Sequence, residues 1–245
     1  MANELVARAS HAPTSELLSR TIFAVFDTIK AANEVVIHKE NFKRFSVHLE
    51  NVSFMLKSLS KQDIHNPTSL ESAMNCLYRE IGVAKQLFVE CNNRSKVYLL
   101  INSRKIVTHL NCCTKDIGHA VSLIPLASLD INSGLNNQIS ELSKKMLDAE
   151  YQTAAADEEI LKKIETVIQE GNVDRSYANQ LLTSIADAIG VPLEHGALKR
   201  EFEELKNEME NVKSRVDVAE ALHMEQIIAV LGKADLITSA QEKET

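Results

Sequence analysis

Four residues with metal-binding chemistry fall at helical spacing near the middle of the chain: His109, Cys112, Asp116 and His119. Imidazole, thiolate and carboxylate are the groups that hold zinc. At intervals of three, four and three they share one stripe of a single helix. Successive turns sit about 5.4 Å apart, so one straight helix cannot wrap four tetrahedral ligands round an ion. A site would have to borrow Cys76 or Cys91 from another helix, and buried thiols with partly exposed imidazoles are the simpler expectation. The four cysteines (Cys76, Cys91, Cys112, Cys113) show no CxxC spacing and read as core-filling thiols in a reducing compartment. Glu158-Glu159 and Glu203-Glu204 are paired carboxylates, but on exposed faces, whereas a catalytic pair needs a cleft and a raised pKa. No Gly-rich phosphate loop, GxSxG or HExxH occurs. The sequence therefore predicts no catalytic residue, no metal site and no cofactor.

The elements that would carry these residues are helices. Seven Gly, four Pro and no Trp in 245 residues are few punctuators for so long a chain. An all-β fold would need many tight turns, so the scarcity predicts long helices and short connections. Residues 1–13 read as a flexible arm ending at Pro13. Four amphipathic stripes then follow in 14–126. The first runs Leu18, Ile22, Val25, Ile29, Ala32, Val36, and the second Phe42, Phe45, Leu49, Val52, Leu56, Leu59. The third runs from Leu70 to Cys91 and the fourth from Ile106 to Ile124, within a helix from about 94 that stops at Pro125. Short loops force antiparallel neighbours, so the fold class expected is all-α, an antiparallel four-helix bundle. Beyond it, 127–236 reads as long bracing helices, coiled-coil-like in part: one over 135–170, a short one over 175–189 and one from 197. Residues 237–245 read as a disordered tail.

The helix from 197 carries the most regular pattern. Leu198, Phe202, Leu205, Met209, Val212 and Val216 step by four and three, a heptad seam that needs an apolar partner. Glu201 with Lys206, and Glu208 with Lys213, fall where charges meet between chains of a parallel pair. These six apolar residues are the candidate interface of a homodimer, against the alternative of a helix packed on its own domain.

Charge is unevenly spread. Residues 1–126 hold 15 Lys+Arg against 11 Asp+Glu, or +4, and the remainder 12 against 23, or −11. The basic half is too weakly charged, and too poor in interleaved aromatics, to predict nucleic-acid binding. No uncharged run approaches a membrane span, the N-terminus lacks a signal-peptide layout, and Ala2 excludes N-myristoylation. A cytoplasmic location is expected, with the nucleus or the periphery of the plasma membrane as alternatives.

The stretch LKREFEELKNEMENVKSRVDVAEALHMEQIIAVLGKADL resembles the segment just upstream of the U-box in plant U-box/armadillo-repeat ubiquitin ligases. NFKRFSVHLENVSFMLKSL, YREIGVAKQLFVECNNRSKVYLLINSRKIV and NNQISELSKKM are similar in kind and keep the same order across nearly all 245 residues. In that family the region resembles the helical domain of plant calcium-channel-regulator proteins and, more distantly, the bundles of cell-death executioners. The resemblance implies a ligase whose U-box recruits a ubiquitin-conjugating enzyme while armadillo repeats present substrate. This sequence ends at Thr245, before any U-box, so no functional residue carries over. The expectation is a non-catalytic, protein-binding regulatory domain of such a ligase, linked to defence, cell death or stress signalling. The alternatives are a membrane-associating bundle of the cell-death type and a homodimerising scaffold.

Overall fold

A computed structural model describes residues 2–62, 67–127, 131–171, 174–193, 195–214, 218–234 and 237. The chain is all-α, with ten helices and no strand among the described residues. They are α1 (Ala2–Glu34), α2 (Lys39–Leu59), α3 (Pro67–Asn92), α4 (Lys96–Ile101), α5 (Ser103–Ala127), α6 (Ser133–Leu147), α7 (Ala155–Glu170), α8 (Arg175–Ile189), α9 (His195–Ser214) and α10 (Val218–Leu231). The arm expected over 1–13 is instead the start of α1 from Ala2, in keeping with the good helix formers of its opening ANELVARA stretch. The tail expected over 237–245 lies outside the described residues, apart from Ile237. Two compact units divide the chain: Met1–Asn92 with Val107–Gln152, and Asn93–Ile106 with Thr153–Thr245. The boundary expected at 126/127 is thus replaced by one that interleaves the sequence.

In the first unit α1 packs on α2 and α3, and α2 on α6. Phe42 and Phe45 of α2 meet Phe88 of α3 edge to face, at ring-centroid distances of 5.3 and 5.1 Å, an arrangement that aromatic quadrupoles favour. Leu110, Ile117, Val121 and Ile124 bring α5 into the core. Pro125 does not stop α5, which continues to Ala127; a proline withholds its own N–H but not those of the residues after it. Helix α6 lies close against α5: Ser143 Oγ donates to the Gly118 carbonyl at 2.9 Å, and a Cβ on Gly118 would sit 3.0 Å from that of Met146.

The helix expected over 135–170 is broken at 148–154. Asn111 of α5 causes much of the break. Its Oδ1 accepts from Tyr151 N at 2.9 Å and its Nδ2 donates to Tyr151 O at 3.1 Å. One side-chain amide thus satisfies both main-chain groups of Tyr151, which no longer need helical partners. The ring of Tyr151 is buried, its hydroxyl lies 3.3 Å from Thr114 Oγ1, and the Arg44 guanidinium stands 5.3 Å from the ring centre.

The second unit is arranged round the short helix α4, which packs on α8 and α9, while α10 packs on α7, α8 and α9. The helix expected from 94 to 124 divides here, with Ser95 as N-cap of α4 and α5 restarting at Ser103. Ser95 Oγ accepts from Tyr98 N at 3.2 Å and donates to Glu208 Oε2 at 3.0 Å, while Ser95 N donates to Glu208 Oε1 at 2.7 Å. Lys96 N donates to Glu201 at 2.7 Å. Tyr98 and Lys105 both donate to Glu220, at 2.6 and 2.5 Å. Arg104 binds Glu158 through two nitrogens and also reaches Glu165.

These bonds correct two expectations. Glu201 and Glu208 hold the amino end of α4 rather than waiting for a second chain, and Lys206 and Lys213 pair within α9 with Glu203 and Glu210. The charge asymmetry also dissolves. Residues 93–106 carry four bases and no acid, and they fold into the acidic unit. By unit, the totals are 13 bases against 15 acids (−2) and 14 against 19 (−5).

Two predictions follow from these contacts. Substituting Gly118→Val drives side-chain atoms into Met146 and Leu147 and lowers stability by about 2 kcal/mol. Gly82→Ala on α3 meets nothing within 4 Å and raises stability by about 0.5–1 kcal/mol. Urea unfolding of both variants distinguishes them. Glu208 supplies the second test. Burial raises its carboxyl above the usual range, against the two bonds from Ser95. The folded state therefore holds that proton more tightly than the unfolded state, and the cost of ionising Glu208 is relieved as pH falls through its raised value. Wild type should accordingly gain stability relative to Glu208→Gln between neutral and mildly acid pH. Glu208→Ala, which strands the buried Ser95 N–H, should lose about 1–3 kcal/mol at neutral pH. Thermal melts across pH check both.

Candidate interaction surface

Helices α1 and α2 each bury one stripe and display another. Val25 and Ala32 of α1, and Phe42, Phe45, Leu49, Val52 and Leu56 of α2, face the core. On the opposite side of α1, Ser19, Phe23, Phe26, Lys30 and Asn33 are exposed at intervals of four, three, four and three. On α2 and just past its end, Lys43, Val47, Glu50, Phe54, Lys57 and Lys61 are exposed in the same rhythm. Phe23, Phe26 and Phe54 keep 71%, 44% and 65% of their surface in solvent. Large aromatic rings are rarely left so open, and their grouping makes this face the candidate interaction surface.

The two stripes meet at Lys57, whose Nζ lies 4.7 Å from the ring centre of Phe26 and 5.8 Å from that of Phe54. The ammonium is attracted to the faces of both rings and shields apolar surface that water would otherwise cover. Phe54 also forms one wall of a cleft of about 240 Å³ between α2 and α6, with Met55, Leu142 and Lys145 among its other walls. Asp27, beside Phe26, pairs with Lys85 of α3 at 2.9 Å.

The residues singled out for other chemistry fall elsewhere. Leu198, Phe202, Leu205, Met209 and Val212 are buried within this single chain. Val216 lies outside the described residues. The seam is therefore spent against its own unit, and a dimer formed through it would first have to expose those side chains. His109, Cys112, Asp116 and His119 are all exposed along α5, as one stripe. No group of three or more His, Cys, Asp or Glu that could hold a metal ion occurs among the described residues. Cys112 and Cys113 line a cleft of about 280 Å³ between α3 and α5, walled also by Val83 and Leu87. Burial first, and Asp116 second, push the Cys113 thiol up to about 11, so it stays protonated and unreactive near neutral pH. No helix among the described residues is long and apolar enough to cross a membrane.

Phe23, Phe26 and Phe54 were not singled out by the periodic patterns, because attention to the buried stripe passes over what lies opposite. The signal was nevertheless there: three large aromatics off the core stripe, in a heptad rhythm of their own.

A family model described as the MCAfunc domain matches residues 25–171. A second, the iron permease-associated 4-helix bundle domain, matches residues 137–234. Protein MID1-COMPLEMENTING ACTIVITY 1 of Arabidopsis thaliana is 24% identical over 88% of this chain and 50% of its own length. Protein MID1-COMPLEMENTING ACTIVITY 2 of the same plant is 20% identical over 88% of this chain and 50% of its own. Cell number regulator 13 of Zea mays is 21% identical over 89% and 49%. The chain spans about half the length of these curated relatives, and no solved structure matches it.

These matches overturn the ubiquitin-ligase reading, and with it the U-box, the armadillo-repeat parent and the conjugating enzyme as partner. The strings that suggested it encode amphipathic helices and their packing, which different helical domains can share; none encodes a step of ubiquitin transfer. Neither alternative, the membrane-associating bundle nor the homodimerising scaffold, draws support from the matches. With the match running from within α1 to the end of α7, over more than half its length, the chain belongs to the MCAfunc domain family.

Proposed function

We propose that this chain is a non-catalytic regulatory docking domain, which acts by presenting the outer face of α1 and α2 to a partner macromolecule. The observation that carries this reading is the aromatic–lysine face itself: Phe23, Phe26 and Phe54 in solvent, with Lys57 between two of them. Solvated phenylalanines on well-packed helices give a partner large apolar area at little cost in side-chain entropy. The names of the relatives fit a regulatory role, one kind recording a complementing activity and the other a regulator of cell number. Neither names a reaction. Among the described residues, the titratable groups with displaced pKa values belong to ion pairs, caps and core contacts rather than to a reactive cleft.

The reading predicts where contacts form in cells. A photo-crosslinking amino acid placed at Phe54 or Phe23 should give discrete crosslinked products in the source cells. The same residue at Glu203, exposed on α9, should give few. Equal yields at the two faces would remove α1–α2 as the docking surface.

A further inference from the structure

Resting on that docking reading, we infer that the occupant of the α1–α2 face is an acidic amphipathic helix of a partner protein. Two features of the face set the shape of the ligand. Both helices expose residues at alternating intervals of four and three, the spacing that lets a third helix lay its own ridge between two others. The stripes converge at one point, where a single Lys57 ammonium reaches the rings of Phe26 and Phe54. A helix crossing there with apolar residues at i, i+3 or i+4, and i+7 buries both rings along one side.

Charge sets its sign. Lys30, Lys43, Lys57 and Lys61 are exposed on the face, against Glu50 as its single carboxylate, and no ion pair engages Lys30, Lys43 or Lys61 among the described residues. Two further acids border it, and both are already paired: Asp27 with Lys85, and Glu141, in the cleft beside Phe54, with Lys145. Carboxylates flanking the apolar stripe of an incoming helix would meet these ammonium groups at the rim, which guides encounter and orientation.

The same details disfavour a lipid surface. Glu50 stands in the α2 stripe between Val47 and Phe54, where lipid phosphates would repel it. On α2 charged residues alternate with the apolar ones, and on α1 Ser19, Lys30 and Asn33 flank the two phenylalanines, whereas helices that lie in a bilayer interface present a continuous apolar face.

The test is a selection. The purified chain, its Phe26→Ser/Phe54→Ser variant and its Lys57→Glu variant are each used to pan a phage library of random peptides about 20 residues long, enough for five turns. All three positions are exposed, so the variants should fold, and circular dichroism confirms it. The inference expects wild type to enrich peptides with a helical apolar stripe flanked by Asp and Glu. Their binding should weaken at least about tenfold in the double Phe variant, weaken as salt rises from about 0.05 to 0.3 M, and lose its acidic preference with Lys57→Glu. Enriched peptides without an acidic excess, or binding unmoved by the Phe variant, would overturn the inference; crosslinking at Phe54 in cells would then leave the docking reading standing. Co-sedimentation with phosphatidylserine–phosphatidylcholine vesicles that depends on Phe26 and Phe54, with no helical peptide enriched, would also overturn it, in favour of a membrane.

Discussion

A helix in a small bundle has one stripe to give to the core, and much of this molecule follows from how each helix uses that stripe. Helices α1 and α2 bury Val25, Ala32, Phe45, Leu49 and Leu56 on one side. Whatever lies opposite must face water or a partner. On both helices what lies opposite includes exposed phenylalanine: Phe23 and Phe26 on α1 and Phe54 on α2. Helix α9 presents the reverse case: Leu198, Phe202, Leu205, Met209 and Val212 form the most regular seam in the chain, and it is consumed within its own unit. The docking surface we propose therefore falls on the helix pair whose outer stripes carry exposed phenylalanines, rather than on the helix with the most regular seam.

The second constraint is that buried main-chain groups need partners. Two polar side chains meet that need, one at the start of a helix and one where a long helix breaks. Glu208 and Ser95 are 113 residues apart in sequence, and their bonds fix the start of α4. Asn111 and Tyr151 are 40 apart, and their paired bonds hold the chain between α6 and α7 out of helix. Glu201 and Glu220 extend the first device by accepting from the Lys96 main-chain N–H, the Tyr98 hydroxyl and the Lys105 ammonium, and Glu158 and Glu165 take Arg104, so a segment with four bases and no acid has two of those bases paired with acids of its own unit.

The balance between what the sequence showed and what it hid reflects the range of each interaction. Helices α2, α3 and α8 were legible almost residue for residue, because their stripes are regular and their ends carry local signals: Pro67 opens α3, and Gly190, at a φ of 63°, closes α8. The break at 148–154 was not legible, because it depends on bonds between Asn111 and Tyr151, 40 residues apart, rather than on a local stop; the break at Asn102 is local, its side chain bonding the Tyr98 carbonyl, but carries no Gly or Pro to mark it. The seam of α9 was visible but its partner was not. A heptad states that a helix needs apolar company without saying whose. The family was misplaced for a related reason, since amphipathic strings report packing more strongly than ancestry. Phe23, Phe26 and Phe54 were legible in principle, as aromatics standing off the buried stripe.

On the proposed function, the α1–α2 face is open in the isolated chain and covered in the cell. Carbene footprinting of the same protein, purified and in its source cells, measures this most directly. Strong labelling of Phe23, Phe26 and Phe54 in the purified chain and protection in cells, with Phe202 and Leu205 weakly labelled in both, is the predicted result. Equal labelling of the three phenylalanines in both settings, or protection confined to α9, would contradict the account.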